Sequence, residues 1–110
     1  MGLENYRDII KGFLSECMES LSSTENIRIE CVTDDEQKHY EIMEIGWEGD
    51  RRIHDSFIHI DIIEDKVWLQ HNATEERVAE ELIKAGIPRQ AIVLGFQPPR
   101  VRQFTECAVA

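Results

Sequence analysis

Cysteines, basic residues and long apolar runs are all scarce in this sequence, and each scarcity argues against a class of protein. The three cysteines, Cys17, Cys31 and Cys107, are widely spaced and form no Cys-x-x-Cys pair, which argues against a disulfide framework or a thiolate metal site. No apolar run approaches the roughly 20 residues that a membrane-spanning helix needs. Residues 6–8 (Tyr-Arg-Asp) interrupt any run that could serve as a signal peptide, so we expect a reducing, cytoplasmic location.

Basic residues are outnumbered: 12 lysines and arginines stand against 22 aspartates and glutamates, which gives a net charge of −10. A chain with this charge is repelled by nucleic-acid phosphates and by anionic lipid. The imbalance is uneven, because residues 87–110 contain three arginines and one glutamate. A basic tail suits a partner of opposite charge, another copy of the chain included, although a chance fluctuation over so short a segment would give the same pattern.

Length and apolar content fit one globular domain over residues 1–110. Hydrophobic residues make up 42% of the chain, which is too many for a disordered protein. A chain near this length buries roughly 65% of the surface that its unfolded form exposes. That is enough for one core, and it leaves little room for a deep catalytic cleft.

The spacing of apolar residues predicts a helix, four strands and a second helix, in that order. Gaps of three and four between Tyr6 and Leu21 trace one stripe of the first helix. The second helix begins near Asn72 or Thr74, either of which can cap it, and ends at Gly86. Alternating patterns between turn signals predict the strands at residues 27–31, 39–47, 51–63 and 66–71.

These elements predict an α+β fold: a four-stranded antiparallel meander sheet with both helices packed on one face, followed by a C-terminal tail. The other face carries aromatic and polar side chains, and an open patch of that kind is unusual on a monomer. We expect the tail, a second subunit in a homodimer or higher homo-oligomer, or a partner protein to cover it. The residues predicted to bind a partner are Phe57, His59, Asp61, Trp68 and Gln70 on this face, with Arg100, Arg102 and Phe104 in the tail.

The best candidate for chemistry is the pair His59-x-Asp61, with His71 on the next strand as a third group. Strand alternation puts His59 and Asp61 on one face, about 7 Å apart, where they could share a metal ion. A two-residue turn at 64–65 sets His59 opposite Gln70 and directs His71 to the other face, whereas a three-residue turn would bring it back. We therefore predict no catalytic residue, no metal and no cofactor, and interpret the pair as a polar network inside an interface.

Other motifs of catalysis or nucleic-acid binding are missing. The sequence has no Gly-x-Ser-x-Gly, no His-Glu-x-x-His and no glycine-rich phosphate loop. Arg51 and Arg52 are too few to hold DNA alone, because phosphate affinity needs several neutralising contacts. Direct DNA binding would require them to gather in space with Arg100 and Arg102.

Several segments together resemble the XisI proteins. No single segment is decisive, but they occur in order, at matching spacing, over nearly the whole chain. This chain departs from the pattern at Glu64-Asp65, where many members have Asp-Gly, and at Cys107, where an aromatic residue is common. The segments that carry the resemblance are YRDIIKGFL at 6–14, GWEGDRR at 46–52, HIDI at 59–62, VWLQH at 67–71, GIPRQAIVLGF at 86–96 and RQFTECAVA at 102–110.

The resemblance implies a cyanobacterial protein and an accessory role. XisI is the fdxN element excision controlling factor, which acts with XisH and a site-specific recombinase when a DNA element is removed during heterocyst differentiation. It is not itself the recombinase, and the resemblance carries over no catalytic residue. We therefore expect an accessory factor that binds an XisH-like protein. Direct DNA binding within the excision complex, and a metal-dependent enzyme using His59 and Asp61, are the alternatives.

Overall fold

The two longer helices pack on one side of a single sheet in this protein. The computed structural model describes residues 3–21, 23–73 and 77–108, with side chains described from Asn5 onward. Within those ranges, no helix combines the length and the apolar character needed to cross a lipid bilayer. The elements are α1 (Leu3–Ser20), β1 (Ile27–Asp34), β2 (His39–Glu48), β3 (Arg51–Ile63), β4 (Lys66–Asn72), α2 (Val78–Lys84), a 3₁₀ turn (Arg89–Ala91), β5 (Ile92–Leu94) and α3 (Pro99–Arg102).

The sheet has five strands in the order β1-β2-β3-β4-β5. The first four pair antiparallel, which confirms the predicted meander. The fifth strand, Ile92–Leu94, was not predicted, and it pairs parallel with β4 after the chain returns through α2. Three apolar residues are too short a run to show strand alternation, so its pairing depends on the crossover helix rather than on a pattern of its own.

The core lies between the sheet and the two helices, as predicted. α1 contributes one buried stripe, and α2 adds Val78 and Leu82. β3 supplies three isoleucines at alternate positions, which is the pattern of a strand with one face buried. The largest fully buried side chains are Ile10, Leu14, Tyr40, Ile42, Ile58, Ile60, Val67, Val78, Leu82, Ile87, Ile92 and Val93.

Two bulges interrupt the ladders on either side of β3. Between β2 and β3 the pairing moves from Ile42–Ile58 to Met43–Ser56, so Phe57 is the extra residue. A bulge of this kind locally re-aims the strand. Phe57 was predicted on the face away from the helices, but it is half-buried and packs against the core.

The second bulge lies between β3 and β4. The turn after Ile63 has the predicted two residues, since Ile63 pairs with Lys66. Beyond Ile60 the register shifts by one, so His59 pairs with His71 and Gln70 is the extra residue. The predicted pairing of His59 with Gln70 is therefore wrong, because the one-to-one pairing that follows from the turn stops at the bulge.

The second helix starts later than predicted. α2 begins at Val78, and Asn72 ends β4 instead of capping the helix. Thr74, the other predicted cap, lies outside the described residues. Gly86 follows the helix with φ +123°, in the left-handed region expected for a residue that ends a helix.

The tail folds back onto the sheet. The backbone N–H of Ala108 donates to the carbonyl of Ile92 at 2.8 Å, and Ala108 forms a parallel bridge with Val93. Successive strand residues point to opposite faces, so Val93 lies on the face opposite Ile92, away from the helices. Val93 and Ala108 are both buried. The tail thus covers part of the face that we expected to be covered.

Tyr40 links the turn after β1 to the core, and this link should be visible in an alkaline titration. Its ring is fully buried, and its hydroxyl donates to Oδ1 of Asp35 at 3.2 Å. Burial, together with the neighbouring Asp35 carboxylate, raises the pKa of Tyr40 to about 12. We expect a phenolate absorbance step near that pH that is absent from the Tyr40→Phe variant.

The same shift links Tyr40 to stability. An unfolded tyrosine ionises near about pH 10, so the folded state holds more protons than the unfolded state between that pH and about 12. The contribution of Tyr40 is present below pH 10 and lost as the pH rises towards 12. Denaturant unfolding of the wild type and of Tyr40→Phe across this range checks the sign. An equally steep fall of the unfolding free energy with pH in both proteins would contradict a contribution from Tyr40.

Candidate functional site

Asp61 stands at the centre of a polar cluster on the sheet face away from the helices. It is 6% exposed and is the one charged residue that is buried among those the structure describes. His39, on β2, pairs directly opposite Asp61, and His59 precedes it by two residues on β3. We call these three residues the His–Asp–His cluster. Both rings converge on one carboxylate oxygen: Nδ1 of His39 lies 2.5 Å and Nε2 of His59 lies 2.9 Å from Oδ1 of Asp61.

Two further side chains surround the cluster. Nε2 of Gln70 donates to the other oxygen of Asp61, Oδ2, at 3.2 Å. Glu41, on β2, places Oε2 at 3.8 Å from Nδ1 of His59. The carboxylate of Asp61 is therefore contacted on both oxygens, as a buried charge requires. The bulge at Gln70 lies beside this carboxylate on the neighbouring strand.

The electrostatics of the cluster keep Asp61 ionised. Burial alone would raise the pKa of its carboxyl, but the hydrogen bond from His39 and the charge and hydrogen bond of His59 outweigh it, so the pKa is lowered. The hydrogen bond to Asp61, with the attraction of its charge, raises the pKa of His39. A carboxylate shared by two imidazoles can act as an ion pair, as a hydrogen-bonded network, or as part of a metal ligand set.

The structure changes the membership of the predicted cluster. His59 and Asp61 lie together as predicted. The prediction that His71 faces the other side is wrong, because the bulge at Gln70 pairs His71 with His59 and so puts both on one face. Even so, the group of described residues able to share one ion consists of His39, His59 and Asp61. His39 was missed because its position opposite Asp61 depends on the bulge at Phe57. The only signal in the sequence was its place at the start of the second predicted strand.

Trp68 lies next to the cluster and is covered by the tail. It pairs with Asp61 across the β3–β4 ladder. The guanidinium carbon of Arg102, on α3, lies 5.0 Å from the centre of the Trp68 ring, a cation–π distance. Nε of Arg102 also donates to the carbonyl of Gln97 at 3.0 Å. The half-buried Arg102, predicted as a partner contact, therefore holds the tail against the sheet of its own chain.

Replacing Arg102 with alanine is expected to loosen the tail. The variant loses a cation–π contact and a charged hydrogen bond, together about 1–2 kcal/mol of unfolding free energy. Arg100→Ala is the matched control, because Arg100 is exposed on the same short helix, and its loss should change stability by less than about 0.5 kcal/mol. Chemical denaturation followed by tryptophan fluorescence measures both variants. Equal losses would mean that the contact with Trp68 adds nothing.

The remaining predicted partner residues lie in the tail and are open to solvent. Phe104 is 82% exposed, the most exposed large apolar side chain among the described residues. Arg100 is also exposed. Of the eight predicted residues, the structure brings His59, Asp61, Gln70 and Trp68 into one group, with Arg102 on its border.

The arginines needed for a direct contact with DNA do not form one basic surface. Arg51 and Arg52 begin β3, whereas Arg102 packs on Trp68, which pairs with Asp61 near the other end of that strand. Asp61 lies nine positions along the strand from Arg52, a distance of about 30 Å. Arg51 is also paired with Glu48 at 3.4 Å, and Arg52 lies 5.2 Å over the ring of Trp47. The predicted basic surface is thus divided between two ends of the sheet.

The chain matches known proteins over almost its whole length. The family model for the XisI protein matches residues 1–109. The chain belongs to the XisI family. No curated protein matches it. It is similar to two crystal structures from Anabaena variabilis, and both superpose on nearly all of it.

The first of these XisI relatives is an XisI-like protein, which is 40% identical with a TM-score of 0.94 over 98% of this chain and 99% of that one. The second is the fdxN element excision controlling factor XisI, which is 28% identical with a TM-score of 0.89 over 98% of each chain. These similarities confirm the resemblance found in the sequence. They also show that the XisI fold extends through the C-terminal tail, since so little of either chain is left uncovered.

Proposed function

We propose that this XisI protein is an accessory factor that controls the site-specific excision of a DNA element of the fdxN type in cyanobacterial heterocyst differentiation. The observation that carries the proposal is the family match over residues 1–109, together with the superposition on the excision controlling factor XisI of Anabaena variabilis. In this role the protein cuts no DNA and acts in the cytoplasm by binding an XisH-like protein.

The tail and the neighbouring sheet face supply the surface for this partner. Phe104 is largely exposed, and aromatic residues, phenylalanine included, are enriched at protein interfaces relative to the rest of the surface. Arg100, four residues before Phe104 at the start of α3, adds a positive charge to this surface. Arg102 holds α3 against Trp68, so the surface is presented on a fixed element.

Co-purification tests this proposal directly. The chain and an XisH-like protein from the same genome are co-expressed, with an affinity tag on the XisH-like protein alone. We expect the wild type to be retained and the Phe104→Ala variant to be retained at least about tenfold less, the loss expected of an aromatic hot spot. Trp47→Ala is the control, because Trp47 is a half-exposed aromatic at the opposite end of the sheet.

The outcomes separate the partner from the surface. Failure of the wild type to co-purify would overturn the proposed partner. If Phe104→Ala is retained at the wild-type level and Trp47→Ala is not retained, the XisH-like partner would still be supported. The binding surface would then lie at the opposite end of the sheet, around Trp47. Thermal unfolding of both variants shows whether a loss of binding comes from misfolding.

Self-association through the same tail is the second part of the proposal. A two-fold interface brings Phe104 of one copy near the tail of the other, and two-fold dimers are the commonest symmetric assembly. Light scattering after size exclusion measures the mass, and we expect a dimer that Phe104→Asp converts to a monomer. A wild type that is monomeric at high concentration would contradict this part alone.

Direct DNA binding is the alternative function. The net charge of −10 and the division of the arginines between two ends of the sheet both disfavour it, because phosphate affinity rises with each neutralised contact. We expect no retardation of a DNA fragment in a gel at low salt by this protein alone. Retardation that weakens steeply with added salt would favour direct DNA binding instead.

A further inference from the structure

The His–Asp–His cluster brings three side chains that can each serve as a metal ligand close together. Their ligand atoms, one from each residue, all lie within 4.8 Å of one another. Zinc binds nitrogen and oxygen ligands at about 2.0–2.1 Å, which puts neighbouring ligand atoms of a tetrahedral site about 3.3 Å apart. The two nitrogen–oxygen separations, now 2.5 and 2.9 Å, would widen by less than about 1 Å to admit the ion.

The surroundings support two of the three ligands from behind. Gln70 donates to Oδ2 of Asp61, which leaves Oδ1 facing the two rings. Glu41 places Oε2 3.8 Å from Nδ1 of His59. When Nε2 exchanges its hydrogen bond to Asp61 for a bond to the ion, the ring proton lies on Nδ1 and faces this carboxylate. Carboxylates and amides in these outer positions are the usual supports of metal-binding histidines and carboxylates.

The third ligand is free to adjust. The side chain of His39 is 57% exposed, whereas that of Asp61 is 9% exposed and fixed by its neighbours. The His39 ring therefore has room to rotate and exchange its hydrogen bond to Asp61 for a bond to an ion. The same exposure leaves one side of the ion open to water or to a group from a docked protein.

We propose that His39, through Nδ1, His59, through Nε2, and Asp61, through Oδ1, bind one divalent transition-metal ion of the zinc class with an open coordination position. Two imidazoles and one carboxylate suit zinc, iron(II) or nickel, whereas calcium and magnesium prefer all-oxygen sites. The inference concerns ion binding on this face, and it does not rest on the proposed role in excision.

Zinc titration tests the site. Protein freed of metal by chelator dialysis and kept reduced with a phosphine is titrated with zinc chloride in a calorimeter. We expect one ion per chain, and affinity at least about tenfold lower in His39→Gln and in His59→Gln. His54→Gln and His71→Gln are the matched controls, because both histidines are exposed and outside the cluster, and both variants should bind as the wild type does. Cys31→Ser, which removes an exposed thiol, should also bind normally.

Nitrogen NMR of the histidine rings gives an independent readout that misfolding cannot imitate. On addition of zinc, the bound-nitrogen shift should appear at Nδ1 of His39 and at Nε2 of His59, and at neither ring of the two control histidines. An absence of heat and of ring shifts would overturn the proposal and leave a metal-free hydrogen-bonded network. Zinc binding that survives in His39→Gln but is lost in Cys31→Ser or His71→Gln would overturn it as well.

Discussion

Replacing Gly46 with alanine is expected to lower the unfolding free energy of the protein by about 3 kcal/mol. Gly46 is buried in β2 and pairs with Ile27 at the start of β1. A methyl group there would lie 2.0 Å from the carbonyl oxygen of Asn26 and 2.7 Å from Cα of Ile27. These are backbone atoms, which cannot rotate away as a side chain can, so the beginning of β1 must separate from β2.

The separation would also break a neighbouring hydrogen bond. The backbone N–H of Trp47 donates to the same carbonyl of Asn26 at 3.0 Å. We therefore expect a lower midpoint in urea and faster amide hydrogen exchange confined at first to β1. Urea unfolding followed by circular dichroism gives the free energy, and exchange measured by NMR locates the loss.

Gly12→Ala is the matched control for this substitution. Gly12 lies on the exposed side of α1, and among the described residues no atom outside the adjoining helix backbone comes within 4 Å of an added methyl group. Alanine costs less conformational entropy than glycine in a helix, so this variant should be more stable by about 0.5–1 kcal/mol. The same chemical change thus has opposite signs at two sites. A loss of less than about 1 kcal/mol in Gly46→Ala would show that β1 can move without cost at this point.

The parts of the fold that follow from local periodicity were predictable from the sequence. The apolar stripe from Tyr6 to Leu21 gives α1, and alternation between turn signals gives the four antiparallel strands. The two-residue turn between β3 and β4 was also correct, since Ile63 pairs with Lys66. In each case the signal lies within one element or one tight turn, where sequence separation is small.

The cluster was only half predictable, because its third member depends on a bulge. Glu48 pairs with Arg51, and counting back from that turn without interruption would place His39 opposite Ile60. In that register His39 would face the helices. The extra residue at Phe57 shifts the ladder by one, so His39 pairs with Asp61 instead.

No local signal marks that bulge in the sequence. Bulges are marked by an unpaired residue in the folded ladder, and Phe57 is an ordinary strand former by propensity. Its side chain packs against the core, which is a tertiary contact that no window of the sequence contains. The same reason explains why the short parallel strand β5 was missed: Ile92 and Val93 become a strand only through pairing with β4.

The sheet therefore separates two tasks between its faces. One face carries the aliphatic side chains that pack under α1 and α2, and it holds the fold together. The other carries the His–Asp–His cluster, Trp68 and the returning tail, and it is the face that we propose for binding. Alternation along β3 is what keeps the two apart, since Ile60 and Asp61 are neighbours in sequence and point to opposite sides.

Replacing Leu14 with alanine tests this separation, and it should strongly lower the unfolding free energy. Leu14 is fully buried on α1, within the core cluster. Truncation leaves a cavity that the packed strands cannot fill, so we expect a loss of about 2–5 kcal/mol in unfolding free energy. Ile63→Ala is the control, because Ile63 is 42% exposed at the end of β3, and it should cost less than about 1 kcal/mol.

The informative comparison is between stability and binding in the Leu14→Ala variant. Its cavity opens on the helix side of the sheet, whereas the cluster lies on the other side. At a temperature where the variant is still folded, it should match the wild type in the two binding activities that we propose, for zinc and for an XisH-like protein. Weakened binding in a folded Leu14→Ala protein would mean that the helices set the geometry of the far face through the strands, and the division between the two faces would no longer hold.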